Sequence, residues 1–177
     1  MELISEKHVE KTWREVDSLT PAGMNIEILS LGKSQSDLLA FLMTYTEDRN
    51  PEIKKLDIYL AFVIYGRFCG LQNKIPRASA KEILACYVDN EHCLQSLEGI
   101  HERLLKRIVT AQKPKQPHVM NYIIEALMED PEESEIGELT EEDKGFLFIL
   151  LKTIMEVLDH KVYTMTFIDR RYGGGTQ

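Results

Sequence analysis

Any fold of this chain must accommodate the stretch from Asn50 to Gly70, in which Ile58 to Tyr65 are eight apolar or aromatic residues in succession. Asn50 suits an N-cap because its side chain accepts a bond from an orphan N–H. Pro51 suits the first helical position because its missing N–H costs nothing there, and Gly70 suits the left-handed residue that closes a helix. The spacing therefore predicts a helix over Pro51–Cys69. A buried strand would also be apolar throughout, but the two helix-end signals favour the helix. Eight consecutive apolar residues point in every direction of a 3.6-residue turn, so such a helix has to be covered on all sides. A second stretch makes the same demand. Thr140 and Asp143 form a cap, Glu141, Glu142 and Asp143 suit the positive end of a helix dipole, and Phe146 to Leu151 are six apolar residues in a row. Glu141–His160 is thus expected as the second inner helix.

The remaining segments read mostly as helices that could cover these two. Val9, Trp13 and Val16 form one stripe among charged neighbours in residues 3–18. Thr20-Pro21 is another cap followed by proline, and Met24–Leu31 fits a helix although Met24, Ile26 and Ile28 also alternate as in a strand. Gly32 is expected to stop that helix and Ser34 to help cap the next, whose apolar residues are Leu38, Leu39, Phe41, Leu42 and Tyr45. Ser79 and Glu82 make a capping box. The helix they start is expected to break near Asp89-Asn90, because short polar side chains compete for backbone hydrogen bonds, and to resume from Glu91 to about Ala111. Pro117 opens a further helix carrying Val119, Met120, Ile123, Ile124 and Leu127. Val162 to Ile168 alternates and contains β-branched residues, which suggests an extended segment lying over the bundle. Leu38–Phe68 and Val119–Leu158 also share a plan of apolar helix, acidic proline turn and inner helix, the pattern that a repeated helical hairpin would give.

With 177 residues, 44% of them hydrophobic, the chain can bury one core and shows no break in composition. The expectation is an all-α fold: a single domain over residues 1–172, a helical bundle of about seven or eight helices with central helices near 51–69 and 141–160, followed by a Gly-rich flexible tail at 173–177. Residues 129–143 include nine acidic residues and no basic one, with Pro131 and Gly137 interrupting them, and are expected as a solvated surface loop.

Charge narrows the choice of partners. Against 29 acidic residues stand 21 lysines and arginines, giving a formal charge of −8 that opposes attraction to nucleic acid or to an anionic membrane surface. The first residues lack a basic region followed by an apolar run, and no apolar run approaches the roughly 18 residues that span a bilayer. Cys69, Cys86 and Cys93 are odd in number, as expected of free thiols in a reducing compartment. These features set the expectation of a soluble cytoplasmic protein.

Few residues offer chemistry. Gly32-Lys33-Ser34 ends like a phosphate-binding loop, but the required glycine five positions earlier is Glu27, whose carboxylate would repel phosphate. Glu98 and His101 have the Glu-x-x-His spacing that places carboxylate and imidazole on one helix face in di-iron bundles, and Asp89-Asn-Glu-His92 is a near match. His92 and His101 lie about 180° apart on an unbroken helix, however, and neither apolar run contributes a carboxylate to complete a set. Cys86 and Cys93 are about 10 Å apart along a helix axis, too far for one metal or a disulfide. The serine-elbow, zinc and dinucleotide signatures are absent. Tyr59, Tyr65, Tyr87 and Tyr122 fall in apolar helices and read as core residues. No cofactor and no catalytic residue is therefore expected. The function expected is that of a protein–protein interaction adaptor or regulator, whose partner is another protein or a second copy of itself. The alternative is a helical bundle that binds a metal or small ligand, with catalysis included, through Glu98 and His101.

Overall fold

A computed structural model describes residues 3–69, 75–95, 114–128 and 139–172, the side chains of 93–95 and 165–172 excepted. These residues form seven helices and no strand: α1 (Glu6–Asp17), α2 (Pro21–Ser34), α3 (Ser36–Tyr45), α4 (Pro51–Cys69), α5 (Ala80–Gln95), α6 (Pro117–Met128) and α7 (Glu141–Tyr172). The all-helical reading holds. Residues 96–113 and 129–138, which include Glu98, His101 and most of the acidic stretch, lie outside the described residues, as do 70–74 and 173–177.

The caps read from the sequence are in place. Asn50 Oδ1 accepts from the Glu52 N–H at 3.0 Å. Ser79 Oγ accepts from Glu82 N–H while Glu82 Oε2 accepts from Ser79 N–H, completing the capping box. Thr140 Oγ1 accepts from Asp143 N–H at 3.1 Å. Between Pro51 and Cys69 the residues Leu60 to Ile64 are all buried, with Ile53 and Phe68. One core cluster draws on residues from Ile4 to Leu158, and its largest contributions come from α4, α6 and α7. A smaller one joins Phe62 and Val63 of α4 to Val16 of α1 and Leu31 of α2. The two inner helices pack against each other, α5 and α6 lie against α7, and α1 lies against α4 and α6.

Four local expectations are corrected. The α5 helix passes unbroken through Asp89-Asn90. Asn90 is buried and gives its side chain to α7 instead of its own backbone, donating to Thr153 Oγ1 at 3.1 Å and Glu156 Oε2 at 3.0 Å while accepting from Lys152 Nζ. Tertiary partners thus remove the local competition that would have broken the helix. Val162–Ile168 is helical, part of α7, because an established helix extends at one hydrogen bond per residue and β-branched residues oppose this only weakly. Gly32 does not stop α2, nor does Ser34 cap α3. The α2 helix runs through both to a junction at Gln35, and a Cβ on Gly32 would lie 3.0 Å from Leu39 Cδ2, so the glycine lets α2 and α3 approach. Trp13 is 40% exposed, and Thr12 takes the inward position between Val9 and Val16.

Position along α5 and α7 is set by polar contacts. Glu82 meets Lys161, Cys86 lies against Thr153 and Glu156, and Asn90 meets Lys152 and Thr153, so partner numbers fall along α7 as they rise along α5. The two helices are antiparallel in one register. Burial and the neighbouring Glu156 carboxylate push the Cys86 thiol up to about 12.

On α4 a fully buried Asp57 interrupts the apolar surface, and neither carboxylate oxygen has a hydrogen-bond partner. Desolvation raises its pKa from 3.8 to about 8, so the carboxyl is mostly protonated at neutral pH. Between these two values the folded chain binds more protons than the unfolded one. This contribution to stability is therefore complete below about pH 4 and is lost as pH rises toward 8. Urea titrations from pH 5 to 8 should show the wild-type unfolding free energy falling by up to about 1.4 kcal/mol per pH unit, and Asp57→Asn should flatten the slope. Equal slopes would mean that Asp57 is solvated or paired. Phe62→Ala, a large-to-small change on the central helix, should cost about 3–5 kcal/mol in the same titration, and a loss below about 1 kcal/mol would place α4 at the periphery.

Candidate functional site

Where α1, α4 and α6 meet, they leave a groove of about 650 Å³. Each helix contributes residues at helical spacing: Glu6, Val9, Glu10 and Trp13 from α1, Leu56, Tyr59 and Leu60 from α4, and His118, Asn121, Tyr122 and Glu125 from α6. Ala126 and Met128 complete the lining. Val9, Leu60 and Ile124 are buried at the floor, Leu56, Tyr59 and Tyr122 are half-buried on the walls, and Glu6, Glu10, Trp13 and Glu125 are exposed on the rim.

Two contacts hold α1 at this position. His8 Nε2 lies 3.1 Å from the Arg67 carbonyl oxygen, and a Cβ on Gly66 would come 3.1 Å from Thr12 Cγ2, so the missing side chain admits α1 close to α4. Gln116 ties both flanking helices to the core. Its Oε1 accepts from the Ile4 N–H at 3.0 Å, just before α1, and its Nε2 donates to Asp159 of α7 at 2.7 Å, just before α6 begins.

The lining includes three glutamates and no lysine or arginine. Glu10 also accepts from Arg14 Nη2 one turn along α1, on the exposed side, which offsets part of its charge. Beneath the wall lies a cation. Arg67 has no exposed surface, its guanidinium carbon sits 3.5 Å from the centre of the Tyr122 ring, and Nε, Nη1 and Nη2 have no hydrogen-bond partner among the described residues. Stacking engages the face of the guanidinium, and the Tyr122 hydroxyl also acts on it favourably, but none of its three nitrogens has a partner within hydrogen-bond geometry. Burial lowers the Arg67 pKa to about 10, and the nearby Tyr122 and Tyr59 side chains act in the opposite direction, so the group stays charged at neutral pH.

The groove is lined in part by residues whose sequence pattern pointed to the core. Tyr59, Tyr65, Tyr87 and Tyr122 read as core tyrosines but all four are half-buried: Tyr59 and Tyr122 each show one side to the groove, while Tyr65 lies against Ser34 and Tyr87 against Phe41 and Tyr45. The one available signal was the polar stripe His118, Asn121, Tyr122 and Glu125, which runs beside the buried stripe of α6. Arg67 left no such signal, since an arginine near a helix C-terminus is ordinary. Among the described residues no group of three or more histidine, cysteine, aspartate or glutamate side chains could hold a metal ion, and no helix is long and apolar enough to cross a membrane. No family model, curated protein or solved structure matches the chain.

A buried cation met by tyrosines and by no counter-charge among the described residues predicts an unusual response to mutation. Arg67→Met keeps the volume over Tyr122 and removes the charge, so the urea midpoint should stay unchanged or rise. A loss of more than about 3 kcal/mol would show that the guanidinium is paired in the free protein.

Proposed function

We propose that this chain is a protein–protein interaction module, an adaptor or regulator, which receives a basic amphipathic helix of a partner protein in the groove between α1, α4 and α6. The observation that carries this reading is the groove's composition, an apolar floor between aromatic walls under a rim of three carboxylates with no lysine or arginine in the lining. Helix-in-groove recognition needs that combination: apolar anchors at i, i+3 and i+4 fill the floor, and charge on the rim selects and orients the partner. Exposed Trp13 adds a large aromatic surface at the edge, the residue type most enriched among those that dominate binding energy. The net charge of −8 favours the same class of partner over long range. The cytoplasm, where three cysteines stay reduced, is the setting that fits this reading. The alternative, a metal or small-ligand bundle, rests on Glu98 and His101, outside the described residues, and no described geometry favours it.

Trp13 is the one tryptophan of the chain, so its emission reports on the groove directly. A helical peptide of leucine and lysine, with leucines at i, i+3, i+4 and i+7, should shift that emission saturably. Binding should weaken at least about tenfold between about 50 and 300 mM salt, and a matched leucine–glutamate peptide should not bind. Replacing Glu6, Glu10 and Glu125 together by glutamine should reduce the basic peptide's affinity about fivefold, since three rim charges at a few tenths of a kcal/mol each sum to about 1 kcal/mol. Equal response to both peptides, or none to either, would sink the proposal.

A further inference from the structure

We propose that Arg67 is an anchor for a carboxylate, so that the segment entering the groove carries one aspartate or glutamate among its basic residues and places that side chain on the guanidinium now covered by Tyr122. This inference rests on the groove reading above and specifies the charge pattern of the partner.

Three observations lead to it. Arg67 is fully buried, and its three nitrogens have no hydrogen-bond partner among the described residues. A guanidinium kept only for packing would normally direct its donors at carbonyls or a carboxylate, because an unmet buried cation is among the most costly groups a fold can contain. Second, it is close to the groove. Its guanidinium lies over the ring of Tyr122, a half-buried wall residue, so a ligand entering beside Tyr122 would exchange that side chain's contacts with the guanidinium for bonds to its three unpaired nitrogens. Third, the position makes the waiting state tolerable. Arg67 is in the last turn of α4, where the carbonyl end of the helix dipole favours positive charge, and the ring face of Tyr122 adds a cation–π contact.

The chemistry of the lining selects among anions. A planar carboxylate matches the fork of a guanidinium with two parallel N–H···O bonds. A phosphate dianion would have to pass Glu6, Glu10 and Glu125 on the rim, whereas a single carboxylate carried between lysines arrives with its charge already balanced. The resulting specificity has two parts: lysine or arginine for the rim, and one acid for the inner position. A partner lacking the acid would leave Arg67 as unmatched as it is in the free protein.

The test compares two leucine–lysine helical peptides that differ at one position facing the groove, glutamate in one and glutamine in the other, with Trp13 emission as the readout. Wild-type protein should bind the glutamate peptide about tenfold more tightly or better. Arg67→Met should bind both peptides with the affinity that wild type shows for the glutamine form. Arg67→Lys, which keeps the charge without the fork, should retain a reduced preference and stands in should the methionine variant not fold. Equal affinities in the wild type would overturn the Arg67 assignment and leave the groove reading intact, while failure of both peptides would overturn the two together. A preference that survives Arg67→Met and disappears in His118→Gln would overturn it as well, assigning the acid to the histidine.

Discussion

A helix that is apolar in every direction cannot lie at a surface, and the placement of the other elements follows from covering α4. Its stripe of Ile53, Leu60, Ala61, Ile64 and Phe68 belongs to the main core with α6 and α7, while Phe62 and Val63 point the other way, to Val16 of α1 and Leu31 of α2. The hydrophobic effect is non-directional, so this demand states that α4 must be enclosed and says nothing about which helix lies where. Enclosure alone would permit several arrangements of similar apolar area.

Three buried amides narrow that choice. Gln35, at the α2–α3 junction, donates to the carbonyls of Ile75 and Pro76 and accepts from the Ala78 N–H, fixing the segment that leads into α5. Asn90 sets the register of α5 on α7, and Gln116 joins the residues before α1 and α6 to α7. An amide has both donors and an acceptor, so each of these side chains discriminates between neighbours where a leucine would not. A buried polar group with its partners met adds little net stability but penalises every alternative packing that leaves it unmet.

The two charged residues on α4 behave differently from each other and from these amides. Asp57 escapes the cost of a buried charge by keeping its proton, whereas Arg67 cannot, because a guanidinium loses its proton only well above neutral pH. Ten residues separate them, about 15 Å along a helix axis, so neither compensates the other. Arg67 lies against Tyr122, so the costly residue sits beside the groove with its aromatic walls and charged rim. Core packing and the groove thus meet on a single helix. The face of α4 that packs on α7 holds the bundle together, and the face toward α1 and α6 carries the groove.

The residues of α4 by themselves determined that it is a helix, where it starts and that it is inside, since caps and continuous apolar character are local properties. The same holds for the first turns of α5 and α7 and for the buried stripe of α6. Whether α5 breaks at Asp89-Asn90 was decided by Lys152, Thr153 and Glu156, residues more than sixty positions away, which gave Asn90 better partners than its own backbone. Whether Val162–Ile168 is extended was decided by the helix already running into it, as weak β preference yields to propagation. The groove was decided last, by tertiary structure alone. Glu6, Leu56 and Glu125 are unremarkable on their own helices, and only the meeting of α1, α4 and α6 brings three half-polar faces together around a space that no side chain fills. Local sequence specifies which face of a helix is apolar, but which polar faces adjoin depends on the angles at which those helices pack.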